Sequence, residues 1–153
     1  MSATKRVPPD GISLGVLPEL VGFQLRMAQI AMFKDFSESI GDLEMTPGLF
    51  GVLVIIEANP DLKQSELARA THLDRSTVVS VIDNLERRSL VERRAAPNDR
   101  RSNALRLTSD GGALLRKVKQ KVGEHEKRLV ATLSPAERQA LVKLLKKIFP
   151  ENR

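Results

Sequence analysis

The chain has 153 residues, a formal net charge of +6 and no cysteine. This length suits one domain, and the lack of cysteine excludes disulfides, thiolate metal ligands and thiol redox sensors. Its longest apolar run, residues 52–56, is far shorter than the ~20 residues of a membrane span. The first nine residues are polar and lack the apolar core of a signal peptide. We therefore expect a cytoplasmic protein with no membrane partner.

The basic charge is concentrated in two parts of the chain. Residues 1–62 carry four basic and eight acidic side chains, a balance of −4, whereas residues 87–106 carry seven arginines and two acids, a balance of +5. Such an excess fits a polyanionic partner. Residues 116–147 carry ten basic and three acidic side chains, a balance of +7. A solvated face, contact with flanking DNA, and contact with the phosphates of a nucleotide-bearing ligand are alternatives there.

The N-terminal part predicts two helices after a flexible lead, residues 1–15. The first runs from Leu17 to about Ile40 and is apolar on most of its circumference, so it must be covered on several sides. Packing against a partner subunit and a ligand cavity both explain this. The second begins with Thr46 as N-cap, followed by Pro47, and runs to about Ala58.

The middle of the chain predicts two helices joined by a short turn. The first covers about residues 63–70. Asp74 then caps a second helix to about Arg88, which we call the recognition helix. One of its faces is apolar at i, i+3, i+4 and i+7, and its outer face has few apolar side chains. This is the helix-turn-helix pattern of DNA-binding proteins.

Residues 90–94 and 104–107 predict two strands around a polar, basic loop, a hairpin that we call the wing. A helix from Thr108 to about Thr132 follows, and a capping box at Ser134 opens the last helix. The predicted fold is mainly α with a small β-hairpin. A winged helix-turn-helix (46–108) lies between N-terminal (16–45) and C-terminal (109–149) dimerisation helices, in one domain over 16–149. A symmetric homodimer would place two recognition helices about 34 Å apart.

An ordered series of segments within residues 16–149 resembles the MarR family of bacterial transcription regulators. They are residues 64–68, 73–78, 85–88, 90–93, 99–102 and 105–108. The resemblance implies a winged-helix homodimer that binds pseudo-palindromic double-stranded DNA and usually releases it when a small molecule binds. Residues 25–36 resemble more closely the branch that senses hydroxycinnamoyl-CoA thioesters and related aromatic acids.

The chain departs from the family pattern at two places. Ser89 replaces the glycine that commonly follows the recognition helix, so a left-handed residue there is modestly strained. Val79 and Ser80 replace a hydroxyl and a basic residue of many relatives. With fewer charged donors, we expect weaker guanine readout and more reliance on methyl contacts and DNA shape.

Exposed side chains of the recognition helix are the candidate major-groove contacts. Ser76, Thr77 and Ser80 can donate to phosphates or base edges, and Arg75 can reach a phosphate or a guanine. Val79 can pack on a thymine methyl or on another helix. The alternative is a polar, solvated helix face.

In the wing, the resemblance assigns Arg101 to the minor groove, with Asp99 orienting it or the hairpin through a salt bridge. Arg93, Arg94 and Arg100 are expected to neutralise phosphates. The alternative is an exposed turn with an incidental ion pair. Asp83 and Arg87, at i and i+4, can pair with each other.

The resemblance places an effector site between the long N-terminal helix and the DNA-binding unit. Candidate residues supply one cation for a carboxylate or phosphate and aromatic rings to cover a ring: Arg26, Gln29, Ile30, Phe33, Phe36 and Phe50. Ordinary core and surface roles are the alternative. No cofactor, metal site or catalytic residue is expected, because the chain has two histidines and no cysteine.

Together these features predict a homodimeric repressor of a catabolic operon. A small aromatic carboxylate or its CoA thioester would release it from a pseudo-palindromic operator. The alternative is a constitutive DNA-binding or architectural protein without an effector. A small enzyme is disfavoured because the sequence shows no glycine-rich phosphate loop, serine–histidine arrangement or paired carboxylates on a recognisable scaffold.

Overall fold

The computed structural model describes residues 11–149, apart from the side chain of Arg100. The described part contains six α-helices and three strands. They are α1 (Val21–Ile40), α2 (Pro47–Ala58), β1 (Leu62–Lys63), α3 (Gln64–Thr71), α4 (Arg75–Arg87), β2 (Val91–Ala96), β3 (Asp99–Leu107), α5 (Ser109–Leu129) and α6 (Pro135–Ile148). This confirms the predicted class, mainly helical with a small antiparallel sheet. The predicted flexible lead lies largely outside the described residues. The chain divides into two compact units between Lys34 and Asp35.

The first unit contains a helix break that the sequence pattern did not show. A 3-10 helix, Leu17–Glu19, precedes Leu20, whose backbone is extended (φ −86°, ψ 129°), and α1 begins after it. The Gln24 side-chain amide donates to the Pro18 carbonyl at 2.6 Å, a carbonyl that a continuous helix would bond through a main-chain N–H. Gly22 follows the break, and glycine is a poor helix former. The prediction of one continuous helix from Leu17 was therefore wrong, because the helix is interrupted at Leu20.

The core of the second unit is built around α2. Thr46 caps this helix by accepting a hydrogen bond from the Leu49 N–H at 3.2 Å, and Pro47 is its first residue, as predicted. Val52, Leu53 and Ile56 are almost fully buried, and each such side chain stabilises the fold by roughly 1.5–3 kcal/mol. They pack in one cluster with buried side chains of α3, α4, α5 and the sheet.

The helix-turn-helix has the predicted order. The main-chain N–H of Lys63 donates to the Glu66 carboxylate at 2.8 Å, which fixes the start of α3. His72 ends that helix in a left-handed conformation with φ 55°. At the other end of α4, the Arg88 guanidinium donates to the main-chain oxygens of Glu44 at 2.9 Å and Leu43 at 3.3 Å. The C-terminal end of the recognition helix is therefore anchored to the chain segment before α2.

The sheet has three antiparallel strands in the order β1–β3–β2, where the sequence predicted two. The added strand pairs Leu62 with Leu105 of β3. The wing strands are also longer than predicted, so the tip is the Pro97-Asn98 turn, and Asp99 to Arg101 begin β3 instead of lying in the loop. The main chains of β2 and β3 stay paired beyond the residues whose apolar pattern predicted the strands. The register of this pairing is irregular at residues 95 and 96.

The C-terminal helices begin where the sequence predicted them, and each start is capped by a side chain. Thr108 accepts from the Gly111 N–H at 2.9 Å, and Ser134 forms a capping box with Glu137. Gly111 lies against the Leu90 carbonyl so closely that an added Cβ would be 1.9 Å from that oxygen. Within α5 the buried residues include Leu115 and Val118. By contrast, α6 has no buried residue, and its apolar side chains are exposed: Leu141, Val142, Leu144, Leu145 and Ile148.

No single helix in the described part of the chain is long and apolar enough to cross a membrane. One bent pair, Val21–Leu43 with Pro47–Ala58, reaches the required length and composition only when its two members are counted together. The second member of that pair is the core helix α2.

Candidate nucleic-acid interface

The recognition helix α4 presents one polar face because its other face is fixed in the core. Val78, Ile82 and Leu85 are at most 1% exposed. Arg75, Ser76, Val79 and Ser80 are exposed, and Thr77 is half-buried. Ser76 and Ser80 are four residues apart and lie on the surface that faces away from the core, with Val79 at its edge, whereas Arg75 and Thr77 lie at the N-terminal end of the helix.

Asp74 organises the start of this surface. Its carboxylate accepts hydrogen bonds from the Thr77 N–H at 2.8 Å, the Ser76 hydroxyl at 2.5 Å and the Thr77 hydroxyl at 2.7 Å. These bonds, with that of the Ser76 hydroxyl the largest cause, hold the pKa of Asp74 well below its ordinary value. Asp74 is thus a charged helix cap that also orients two candidate contact residues.

The hydroxyl hydrogens of the candidate contacts are already used within the helix. Besides the two bonds to Asp74, the Ser80 hydroxyl donates to the Ser76 carbonyl at 3.1 Å. A hydroxyl has one hydrogen and two acceptor lone pairs. In this arrangement the three hydroxyls can accept hydrogen bonds from base amino groups, and each can donate to a phosphate only by giving up its present bond.

Arg101 is exposed at the start of β3, and its guanidinium has no carboxylate partner among the described residues. The expected Asp99–Arg101 salt bridge is absent from these contacts. Instead, the Asp99 carboxylate accepts from the Arg101 main-chain N–H at 3.0 Å and from the Ser102 hydroxyl at 3.0 Å. It also lies 3.9 Å from the Lys63 ammonium. The Arg101 main-chain bond is the largest cause of the lowered pKa of Asp99. Asp99 therefore shapes the hairpin and leaves the Arg101 side chain exposed.

The other wing arginines differ in their surroundings. Arg94 is 55% exposed and pairs with Glu92 at 2.5 Å; the side chain of Arg100 lies outside the description. Arg93 is 19% exposed and its guanidinium bonds Asp83 and Glu86 of α4. Partial burial lowers the pKa of Arg93, but these carboxylates outweigh it and raise the pKa above its ordinary value.

Asp83 does not form the expected side-chain pair with Arg87. The Arg87 Nε donates to the main-chain oxygen of Asp83 at 3.4 Å, while the Asp83 carboxylate bonds Arg93. Ser89, in contrast, has the left-handed conformation that the sequence comparison with the family pattern implied, with φ 57°. Its carbonyl accepts a hydrogen bond from the Thr108 hydroxyl at 2.6 Å, which ties the end of α4 to the start of α5.

The candidate ligand residues fall into both units. In the first unit Arg26, Gln29, Ile30 and Phe33 are exposed on α1. In the second unit Phe36 is 3% exposed, and its ring centre lies 6.5 Å from that of Phe50. The structure thus brings together the two candidate ligand phenylalanines of the second unit.

A polar cluster beside Phe36 escaped the sequence analysis. His125 is 3% exposed, and its Nδ1 lies 2.5 Å from Asp35 Oδ2. Arg128 donates to the same carboxylate at 3.2 Å and to the Ser39 hydroxyl. Hydrogen bonds from His125 are the largest cause of the lowered pKa of Asp35. Asp35 and His125 are 90 residues apart, and no helical period indicates a partner at that distance, so this cluster was not predictable from the sequence pattern.

The surface beside this cluster forms a groove of about 460 Å³, lined mostly by basic, acidic and neutral side chains of α5. Its lining is Ser39, Leu43, Lys117, Gln120, Lys121, Glu124 and Arg128. No group of three or more histidine and acidic side chains in the described part of the chain is arranged to hold a metal ion.

Comparison with known proteins identifies relatives of this chain. A family model described as the MarR family matches residues 45–102, the range that contains the recognition helix and most of the wing. A protein of Thauera aromatica, the putative transcriptional regulatory protein for the hcr operon, is 41% identical over 133 residues. That alignment covers 86% of this chain and 80% of the relative.

Two solved structures of the transcriptional repressor CouR are similar over nearly the whole chain. The complex with a 23-mer DNA duplex has a TM-score of 0.85 and 38% identity, covering 90% of this chain and 97% of CouR. The complex with p-coumaroyl-CoA has a TM-score of 0.85 and 35% identity, covering 92% and 99%. The likeness includes the helix-turn-helix, the sheet and the helices on either side.

Proposed function

Because this chain belongs to the MarR family of DNA-binding transcription regulators, we propose that it is a homodimeric repressor released from its operator by an aromatic ligand. The observation that carries the proposal is the exposure of Arg75, Ser76, Val79 and Ser80 on a helix anchored in the core, together with an exposed Arg101 on the wing. These two features supply the major-groove and minor-groove contacts that a winged helix makes.

The residues of the proposed DNA surface have different tasks. Arg75, Ser76, Thr77, Val79 and Ser80 read the major groove, and Arg101 enters the minor groove. Arg94 and Arg100 neutralise phosphates. Asp99 fixes the main chain of the wing through the N–H of Arg101. Since the three hydroxyls are engaged as donors, we expect them to accept hydrogen bonds from adenine or cytosine amino groups.

The homodimer is supported by the exposed apolar surface of α6. Leu144, Ile148 and Phe149 are 57%, 54% and 59% exposed, and an apolar surface of this kind is typical of a protein–protein interface. A twofold axis would repeat the recognition helix at a spacing of about 34 Å, which matches successive major grooves and a pseudo-palindromic operator.

The effector class is proposed by likeness to CouR, whose structure with p-coumaroyl-CoA is 35% identical to this chain. We propose an aromatic acid or its CoA thioester, contacted by Arg26, Gln29, Ile30, Phe33, Phe36 and Phe50. The regulated genes would then encode the breakdown of that acid.

Gel retardation of a promoter fragment from beside the gene for this protein tests the proposal. We expect the operator affinity to fall steeply with salt. In a plot of log affinity against log salt concentration, each phosphate contact should add about 0.9 to the downward slope. Absence of binding at low salt would contradict the assignment. In a second step, p-coumaroyl-CoA, free p-coumarate and other aromatic acids are added to the complex. If none releases the DNA, the protein is a constitutive DNA-binding protein without such an effector.

A thermal-shift measurement on the free protein detects ligand binding without DNA. The chain has no tryptophan or tyrosine, so quenching of intrinsic tryptophan fluorescence is not an option. A ligand that binds the folded state raises the melting temperature with its concentration.

A further inference from the structure

We propose that Arg93 is a positioning residue that fixes the recognition helix against the wing, and that it does not contact a DNA phosphate. The inference rests on the proposed DNA-reading function. It assigns to one of the wing arginines a role different from charge neutralisation.

The guanidinium of Arg93 joins three elements. From β2 its Nη1 donates to Glu86 Oε2 at 2.6 Å and its Nη2 donates to Asp83 Oδ1 at 2.7 Å, both on α4. Its Nε donates to Gln64 Oε1 on α3 at 3.3 Å. All three nitrogens of the fork are therefore used, each in a different direction.

The main chain of Arg93 strengthens the same connection. Its N–H donates to Glu86 Oε1 at 3.3 Å, so the Glu86 carboxylate bridges the backbone and the side chain of one residue. Arg93 is also paired in the sheet with Leu105, a side chain with no exposed surface. The strand position that carries the guanidinium is thus held in register by its pairing with a buried position of β3.

Burial and charge argue against a phosphate contact. The Arg93 side chain is 19% exposed, whereas that of its neighbour Arg94 is 55% exposed. One guanidinium faces two carboxylates, so the group of Arg93, Asp83 and Glu86 carries a net charge of −1. A phosphate approaching Arg93 would have to displace at least one carboxylate and would meet the repulsion of the other.

The two carboxylates face the DNA-reading side of α4. Asp83 and Glu86 line a surface depression together with Ser80 and Arg87, and their side chains are 51% and 42% exposed. Arg93 therefore holds in place two acidic side chains that border the DNA-reading surface.

An arginine suits this role because its planar fork presents several donors at fixed angles. A lysine carries its donor hydrogens on one nitrogen at the end of a flexible stem, so it cannot reproduce the three separate donor atoms that bond Asp83, Glu86 and Gln64. A phosphate neutraliser, in contrast, needs only the positive charge. Lysine substitution therefore separates the two roles.

The experiment measures operator and non-specific DNA affinity over a salt series for Arg93→Lys, Arg93→Met and the control Arg94→Met. For both Arg93 variants we expect operator affinity to fall on the order of tenfold, the size of couplings within one ion-pair network. Non-specific affinity should stay within about twofold and the salt slope should be unchanged. Arg94→Met should weaken both DNAs alike and lower the slope by about 0.9.

A phosphate contact by Arg93 predicts a different set of results. If Arg93→Met weakens operator and non-specific DNA equally, lowers the slope by about 0.9, and is rescued by Arg93→Lys, then Arg93 contacts a phosphate and the proposal is overturned. Glu86→Gln is a milder variant that leaves the arginine charged. Positioning predicts a lower ratio of operator to non-specific affinity, whereas a phosphate contact predicts unchanged or tighter binding to both.

Thermal unfolding gives a readout without DNA and separates this inference from the proposed function. Both Arg93 variants should melt at lower temperature than the wild type, because Asp83 and Glu86 lose their shared partner, and Arg94→Met should not. Equal melting temperatures for wild type and both Arg93 variants would overturn the positioning role. Lack of operator binding by the wild type would instead overturn the proposed function.

Discussion

At the scale of single residues, Asp74 combines two tasks at the start of α4. It caps the helix through the Thr77 N–H and holds the hydroxyls of Ser76 and Thr77. Both tasks need the ionised carboxylate, which has several acceptor sites. The charge that stabilises the helix therefore also orders the surface proposed to read DNA.

A pH dependence follows from the lowered pKa of Asp74. A group whose pKa is lower in the folded state stabilises the protein fully above its unfolded pKa, about 4, and loses this effect as pH falls towards the folded value. At pH 7 we expect Asp74→Asn to melt at lower temperature than wild type. The difference should shrink below about pH 4. Melting temperatures of both proteins between pH 3 and 7 measure this, and a constant difference would contradict it.

Arg101 should matter for DNA and not for folding. Arg101→Ala removes an exposed guanidinium with no carboxylate partner among the described residues, so the stability should change by less than about 0.5 kcal/mol. Operator affinity should fall about tenfold or more, since one arginine contact is worth roughly 1–3 kcal/mol. Fluorescence anisotropy with labelled operator measures the affinity. A lower melting temperature with unchanged affinity would show a structural role instead.

At the scale of elements, local signals were predictable and distant pairings were not. Thr46, Asp74 and Ser134 marked helix starts correctly because a cap acts within three residues. The strand at Leu62 was missed because a strand of two residues is too short to show a period. Its pairing partner, Leu105, is also far away in the sequence. Likewise the partners of Arg93 lie 7, 10 and 29 residues away, so composition indicated its charge but not its contacts.

Two glycines of α5 make a matched pair for testing how this helix meets the sheet. Gly111→Ala places a Cβ 1.9 Å from the Leu90 carbonyl oxygen, which forces a main-chain shift. We expect a loss of roughly 1–3 kcal/mol, as in overpacked cores. Gly123→Ala meets nothing within 4 Å and should stabilise the helix by about 0.5–1 kcal/mol. Urea unfolding of both variants checks this; equal effects would contradict the close approach.

At the scale of the whole molecule, the helix α6 has an apolar surface that its own chain leaves exposed. Side chains of Val130, Leu133, Pro135 and Val142 contribute to the lining of an apolar depression of about 670 Å³ beside it. Exposure of an apolar surface of this extent to solvent is unfavourable for a folded monomer. A second copy of the chain is the occupant that the proposed symmetric repressor requires.

Leu144→Glu tests this interface because the side chain is 57% exposed in the single chain. A charge buried in an apolar interface without a partner should weaken dimerisation on the order of tenfold or more. Operator affinity should fall with it, since only one half-site would be held. Sedimentation over a concentration series measures the association. An unchanged dimer would place the interface elsewhere.

The way in which Arg88 holds the end of the recognition helix has an evolutionary consequence. Its acceptors at positions 43 and 44 are main-chain oxygens, and these persist whatever side chains the two positions carry. Glu44 also has φ 47°, a backbone conformation that glycine and asparagine adopt at less cost. Side chains at positions 43 and 44 can therefore change among descendants of this gene without loss of the two hydrogen bonds, with glycine or asparagine favoured at position 44, whereas a change at Arg88 would remove both bonds in one step.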